Sequence, residues 1–135
     1  MLWLAEAELI GAIMASLPSG YTAATVKLPN ANFTTPSGAK WMRIDTPINH
    51  LANDQDASGD YEITDAVMYA YVFHPSGSGT QAAYTDAEHV KSVVDNMTSN
   101  YCAIQRVTAS PTPEPNDSPW FGVEIKIEFS TESII

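Results

Sequence analysis

Basic residues are scarce in this sequence: six Lys and Arg stand against sixteen Asp and Glu, giving a net charge of −10 at pH 7. A surface that wraps nucleic acid needs clustered Lys and Arg to displace phosphate counterions, so this composition works against that class. It suits a soluble surface, or one that a DNA strand passes without sticking. Cysteine occurs once, as Cys102, which excludes an internal disulfide and gives no sign of an oxidising compartment. Long apolar runs are also missing. No stretch reaches the ~18 unbroken apolar residues of a helical membrane span. Met1 to Leu17 comes nearest, but Glu6 and Glu8 interrupt it and it lacks the basic start of a secretory signal. The expectation is an intracellular, soluble product, and 135 residues suit a single domain spanning residues 1–135.

Assembled chemistry is equally sparse. Of the three histidines, His50 falls in a polar stretch, His74 precedes a proline and His89 lies beside Glu88. None forms the short-spaced pair with further Cys or His ligands that zinc requires. No G-x-S-x-G elbow occurs, and a pairing of His89 with Cys102 across the fold is outweighed by a plain buried thiol and an exposed helix histidine. Ser76-Gly77-Ser78-Gly79-Thr80 lacks the Lys and spacing of a phosphate loop and reads as a flexible tip. The nearest approach to a metal site is Asp54-Gln55-Asp56-Ala57-Ser58-Gly59-Asp60, continuing to Asp65. Oxygen donors at alternate positions with Gly at the sixth resemble a calcium loop whose ligands would be Asp54, Asp56, Ser58 and Asp65. The flanks read as loop and strand where such a loop has helices, and Asp65 is short for a bidentate ligand, so a solvated acidic turn is favoured. Neither a cofactor nor a catalytic residue is expected.

What is present is periodicity. Trp3, Ala7, Ile10, Met14 and Leu17, widened by Leu9 and Ile13, recur at helical steps and predict an amphipathic helix ended by Pro18-Ser19-Gly20. Glu6 and Glu8 are placed early enough to complement its dipole. Two short strands are predicted at Ala24–Leu28 and Lys40–Thr46, bounded by prolines and the Pro36-Ser37-Gly38 turn. Asn49 to Asp60, polar and aperiodic, is predicted to be a loop. A long strand follows from about Glu62 to Phe73, apolar on both faces and so predicted to be covered on both sides. Helices would supply one cover and a neighbouring subunit the other. A second helix runs to about Asn96, capped by Thr80 or Thr85, with Ala83, Ala87, Val90, Val94 and Met97 inward. Cys102 to Ala109 reads as strand. Ser110 to Pro119, with four prolines, reads as an exposed connection. Phe121, Val123, Ile125, Ile127 and Phe129 alternate with Gly122, Glu124, Lys126 and Glu128, the period of a half-buried strand.

The order α-β-β-β-α-β-β predicts an α+β fold, a mixed four- to five-stranded sheet with both helices on one face. The middle strand–helix–strand unit fits a crossover if its two strands are parallel, and the last two strands can pair antiparallel. The other sheet face, carrying Glu124, Lys126 and Glu128, has no element left to cover it. Candidate contact residues follow: Asn49, Asp54, Asp56 and Asp60 in the acidic loop, Ser76, Gly77 and Gly79 in the tip, Pro113 and Pro115 in the proline-rich connection, and Glu124, Lys126 and Glu128 on the free face. Trp41, Tyr69, Tyr71 and Trp120 admit a second reading, a small-ligand pocket, although core or interface is the commoner fate of such residues.

Several stretches carry a resemblance. Val26 to Phe33, then Thr35-Pro36-Ser37-Gly38-Ala39-Lys40-Trp41-Met42-Arg43-Ile44, the strand ending Val72-Phe73-His74-Pro75, the Gly77-x-Gly79 tip and the closing Trp120 to Phe129 together resemble the tail terminator proteins of long-tailed bacteriophages, also called minor tail protein U-like or tail completion proteins. The likeness runs from the first helix to Phe129, by order of elements as much as by identity. It departs at Ile63-Thr64-Asp65, where family members often have Gly. The resemblance implies a structural virion protein and no reaction. Such subunits form a ring, usually a hexamer, at the head-proximal end of the tail tube. The ring ends tube polymerisation and docks the head connector. The implied partners are copies of the chain itself, the tail tube protein and a head completion or neck protein, with DNA passing through the channel without specific binding and no membrane involved. A neck-ring subunit is the neighbouring alternative, and a small-ligand-binding α+β domain a more distant one.

Overall fold

A computed structural model describes residues 2–49, 54–55, 61–112 and 118–134. The opening segment forms α1 (Leu2–Ala15), followed by a short 3-10 turn (Ala23–Thr25) and β1 (Val26–Lys27). Then come β2 (Trp41–Ile44), β3 (Ile48–Asn49), β4 (Asp54–Gln55), β5 (Tyr61–Pro75), α2 (Gln81–Asp95), β6 (Ala103–Pro111) and β7 (Trp120–Ile134).

The sheet runs β1-β2-β5-β7-β6, with β3 and β4 continuing along the same edge of β5 as β2. Among the described residues only β1 and β2 pair in parallel; the other pairings are antiparallel. Because β5 and β6 both run antiparallel to β7, they are parallel to each other, and α2 is their crossover with β7 inserted between. The α+β class, the mixed sheet and the two helices expected from the sequence are all present. At its centre is the β5–β7 ladder, fifteen residue pairs from Tyr61↔Ile134 to Pro75↔Trp120, a ribbon about 45–50 Å long.

Alternation on these two strands sorts the faces. Ala66, Met68, Ala70 and Val72 of β5 and Val123, Ile125, Ile127 and Phe129 of β7 are fully or almost fully buried in one cluster with Ala5, Leu9 and Ile13 of α1 and Ala83, Ala87, Val90 and Val94 of α2. Both helices therefore cover the same side. The Val, Leu, Ile, Met and Phe side chains of this cluster each leave water on folding, worth about 1.5–3 kcal/mol apiece, and this layer is the main source of stability.

The structure corrects several details. The buried row of α1 is Ala5, Leu9 and Ile13, while Trp3 is 69% exposed on the opposite side, and Ala7 is exposed with it. Leu2 to Ala15 is apolar almost all round, so two helical stripes were equally regular and sequence alone could not choose between them. Neither Glu6 nor Glu8 lies in the first turn, so neither meets the helix dipole as expected. Residues 49–60 are not one continuous loop: Ile48–Asn49 and Asp54–Gln55 pair with β5, where backbone hydrogen bonds need no side-chain alternation. Thr80 holds the N-cap position of α2 but makes no side-chain cap bond, and Thr85 instead donates to the carbonyl of Gln81 at 2.9 Å. The final strand reaches Ile134, beyond its apolar run, because β5 offers a partner for each residue. No helix among the described residues is long and apolar enough to cross a membrane.

Candidate assembly surface

The sheet face turned away from the helices is built from the odd residues of β5 and the even residues of β7. Register places Tyr69 opposite Lys126, Tyr71 opposite Glu124 and Phe73 opposite Gly122, while Trp41 and Arg43 of β2 lie beside Phe73 and Tyr71. Directly paired residues share a face, so the aromatic groups stack in a row: Trp41 on Phe73 at 4.5 Å, Phe73 to Tyr71 at 6.1 Å and Tyr71 to Tyr69 at 6.3 Å between ring centroids. Phe33 stacks on Trp41 at 5.5 Å and Trp120 meets it edge-on at 6.0 Å. The Arg43 guanidinium lies 4.3 Å from the centre of the Tyr71 ring, a cation–π contact, and its Nε is 3.1 Å from Asp45 Oδ1, close enough for charge attraction though misaligned for a hydrogen bond. Partial burial raises the Tyr71 hydroxyl above the ordinary tyrosine value, helped by Glu124 and Asp45 and opposed by Arg43. The indole Nε1 of Trp41 is buried without a partner.

This face is half covered. At one end Phe33, Trp41, Phe73 and Trp120 seal each other, with Trp41 and Phe73 buried. Toward the middle, Tyr69, Tyr71, Glu124, Lys126 and Glu128 are only half-buried, and Lys126 Nζ lies 3.6 Å from Glu128 Oε1. The aromatic row is a packed layer, and neither of the clefts lined by Asn100–Ala103 with Ser130–Glu132, or by Ser78–Ala82 with Thr85 and Asp86, includes any of its rings. The pocket reading of Trp41, Tyr69, Tyr71 and Trp120 therefore gains nothing from the geometry.

Other candidate contact residues divide between the two ends of the ribbon. The tip after β5 turns through Gly77 and Gly79, whose φ angles of +87° and +86° favour residues without a Cβ. Ser76 N–H donates to the Pro119 carbonyl at 2.8 Å and Ser76 Oγ to the Ser118 carbonyl at 2.7 Å, joining the tip to the end of the proline-rich connection. Asn49 and Asp54 are placed by backbone pairing toward the opposite end of β5. Asp56, Ser58, Asp60, Pro113 and Pro115, together with His50, lie outside the described residues. Of the proposed cation ligands, Asp65 sits on β5 and accepts from Gln105 Nε2 at 3.3 Å. Among the described residues no three His, Cys, Asp or Glu side chains converge as a ligand set.

Sequence reading missed a buried polar knot on the helix side. His74 Nε2 lies 2.7 Å from Asp86 Oδ2 and Lys40 Nζ lies 3.3 Å from the same oxygen. The Tyr21 hydroxyl is 3.4 Å from His74 Nε2, while the Lys40 ammonium sits 4.5 Å from the Tyr21 ring centre and donates to the Ser19 carbonyl at 2.6 Å. Burial first, then the charge and hydrogen bonding of Asp86, drive the Tyr21 hydroxyl far above its ordinary value. The knot ties four segments together: the chain after α1, the entry to β2, the end of β5 and the first turns of α2. Its members are far apart in sequence, so no local spacing announced it.

His89 does not approach Cys102. Its Nε2 lies 2.7 Å from the Ser16 carbonyl, which clips α2 to the end of α1. Glu8 accepts from the backbone N–H of Asn100 at 2.6 Å and of Tyr101 at 2.8 Å, and its Oε1 lies 3.9 Å from Cys102 Sγ. Burial, with a smaller contribution from Glu8, raises the Cys102 thiol despite an opposing bond to Ser99. That is the reverse of what a nucleophilic thiol needs.

A two-layer fold of this kind recurs among solved structures, twelve chains of which match. One, designated only by a serial identifier, is similar over 97% of this chain and 95% of its own, with a TM-score of 0.67 and 21% sequence identity; at that identity the likeness speaks for the fold alone. No curated protein matches. The family assignment comes from the sequence itself: residues 8–129 match the model of the phage tail terminator protein family. The chain belongs to that family, a family of structural components of the bacteriophage tail, as the resemblance implied.

Proposed function

We propose that this protein forms a ring, a hexamer in its finished state, on the head-proximal end of the phage tail tube, where it ends tube polymerisation and offers the docking surface for the head connector. The observation that carries the reading is the uneven cover of the sheet: helices bury the middle of one face, from Ala66 to Val72 and Val123 to Phe129, while Tyr69, Tyr71, Glu124, Lys126 and Glu128 leave the other half-open to neighbours or to a channel. The β5–β7 ribbon supports it, since its two ends lie about 45–50 Å apart and can meet different partners. The tip, joined by Ser76 to Ser118 and Pro119, stands at one end, and Asp54 pairs with β5 toward the other. In this reading no bond is made or broken. The work is done by subunit contacts that close on themselves, with the net charge of −10 keeping DNA from adhering as it passes.

The test is to image purified headless tails and filled heads from the phage that encodes the chain, with the protein marked by a specific antibody. A single ring of label at the free upper end of headless tails is the expected result. Label confined to filled heads would identify a neck protein instead. A tail preparation lacking the protein should contain overlong tubes.

A further inference from the structure

Within the ring reading, on which this inference rests, we infer that β6 is the joining edge between neighbours. Its open side takes up, by antiparallel main-chain pairing, the opposite edge of the sheet in a second copy of the chain. Three observations carry it. First, β6 is a fixed strand with one side unsatisfied. It ends the sheet among the described residues, and Val107, with Ile104 and Ala109 packed alongside, anchors it in the core. Thr112 N–H donates to the Gly122 carbonyl at 2.9 Å, which marks these two as a hydrogen-bonded pair. Such pairs alternate along an antiparallel ladder. Ser110, Thr108 and Arg106 therefore turn their N–H groups toward β7, while Ala109 and Val107 turn theirs outward. Neither outward group has a backbone partner among the described residues. An edge of this kind is a template for another strand. Bulges, prolines and charge are the usual guards of an edge. Here the bulge lies between Ile104 and Arg106 and leaves residues 106–111 in unbroken register with residues 123–128. The strand's one proline, Pro111, stands at its very end.

Second, strand direction suits a head-to-tail contact. β6 runs parallel to β5, whereas β1 and β3, on the far edge of the sheet, run against it. A copy set beside the first in the same orientation therefore brings its far edge alongside β6 in the antiparallel sense. The contact uses two different edges and repeats from copy to copy, as closure of a ring requires.

Third, charge selects the occupant. Copies that carry −10 apiece repel one another, yet β6 holds none of the sixteen acidic residues and a single cation, the exposed Arg106. It is a positive strip on an acidic molecule. Two β6 edges paired about a two-fold axis would set one positive strip against another. The far edge meets it instead with Asp45 and, in β4, Asp54 beside the lone cation of β1, Lys27.

The experiment uses the full chain, with assembly followed by sedimentation and hydrogen exchange read on the wild-type ring. The Ala109 amide should exchange about tenfold or more slowly in the ring than in the subunit separated by dilution. Ala109→Pro deletes an outward N–H without touching the bonds to β7, a placement that proline tolerates at an edge. Arg106→Glu sets an acid on the strip. Each variant should keep the far-ultraviolet circular dichroism of the isolated wild-type subunit and sediment as a monomer. Where a variant fails to fold, the exchange of the wild-type Ala109 amide decides. An amide equally fast in ring and subunit, or rings formed by either folded variant, would overturn the pairing while leaving the ring reading in place. A dimer with that amide protected would assign β6 to a two-fold contact and overturn it too. A wild-type chain that stays monomeric even with tube ends present would sink the ring reading, and this pairing with it.

Discussion

Phe73 faces Gly122 across the β5–β7 ladder, and its ring fills the space where a side chain on Gly122 would stand. A Cβ there would lie 3.0 Å from the Phe73 ring and 2.6 Å from Thr112 Oγ1. Phe73 in turn is stacked under Trp41 at 4.5 Å, so it has little freedom to withdraw. Gly122→Ala is expected to cost about 1–3 kcal/mol, the usual penalty of overpacking, and to disturb the aromatic layer first. Near-ultraviolet circular dichroism, dominated by these rings, should change at temperatures where the far-ultraviolet signal is still native.

Asp86 accepts from both His74 and Lys40 in a setting where its own side chain is only 12% exposed. Removing it leaves a cation and an imidazole without their acceptor. Breaking such a pair from one side typically costs about 3–5 kcal/mol, and the partial exposure of Lys40, 27%, places the expected loss for Asp86→Ala near the lower bound. Replacing Lys40 by Met alone should cost less, since the Asp86–His74 contact survives. Urea unfolding of the single variants and of the Asp86→Ala, Lys40→Met pair gives the coupling directly: a double variant no worse than Asp86→Ala supports the shared knot, and strict additivity counts against it.

These contacts show where sequence was legible and where it was not. The alternation of Phe121 to Phe129 and the α2 stripe of Ala83, Ala87, Val90 and Val94 each have one buried face against a polar one, so periodicity and structure agree. Trp3 was misplaced because α1 offers apolar residues in every direction, and only the tertiary contacts of Ala5, Leu9 and Ile13 decide which side turns in. Strands β3 and β4 hide in a polar segment because two-residue pairing with β5 is a backbone event. The His74–Asp86 knot and the Glu8 clamp join distant segments, and a single sequence holds no record of such meetings. Of the candidate surface, Glu124, Lys126 and Glu128 could be assigned to the free face in advance because strand period fixes which way they point.

Glu8 offers a third measurement. Its two oxygens take the N–H groups of Asn100 and Tyr101, fixing the turn that leads into β6. Glu8→Ala frees both donors, but at the surface water can replace the lost acceptor, so the expected cost is about 1 kcal/mol and not the full charged-bond value. Hydrogen exchange should report it locally, with the Asn100 and Tyr101 amides accelerated about fivefold where local opening governs exchange. The same change removes a negative charge that helps keep the Cys102 thiol protonated, so alkylation of Cys102 should speed up. Unchanged amide exchange would show that Glu8 does not hold this turn.

The last measurement is of stability at alkaline pH, and its direction follows from Tyr21. In the folded chain, burial and then Asp86 hold the Tyr21 hydroxyl protonated far above the ordinary tyrosine value; Tyr71 is raised too, chiefly by burial. Below about pH 10, the ordinary tyrosine range, both folded and unfolded chains keep these protons and stability does not respond to the two groups. Above it, the unfolded chain releases a proton that the folded chain retains. The unfolded state then binds fewer protons, and stability falls as pH rises. The contribution is thus complete below the unfolded value and is lost progressively toward the folded one. Tyr21→Phe removes the group from this balance. Urea midpoints measured from pH 8 to 11.5 should decline steeply above pH 10 for the wild type and more shallowly for Tyr21→Phe. The Phe variant should also be less stable at pH 8, because His74 and Asp86 lose a polar neighbour in a place closed to water. Parallel curves for the two proteins above pH 10 would mean that Tyr21 does not carry the alkaline limb.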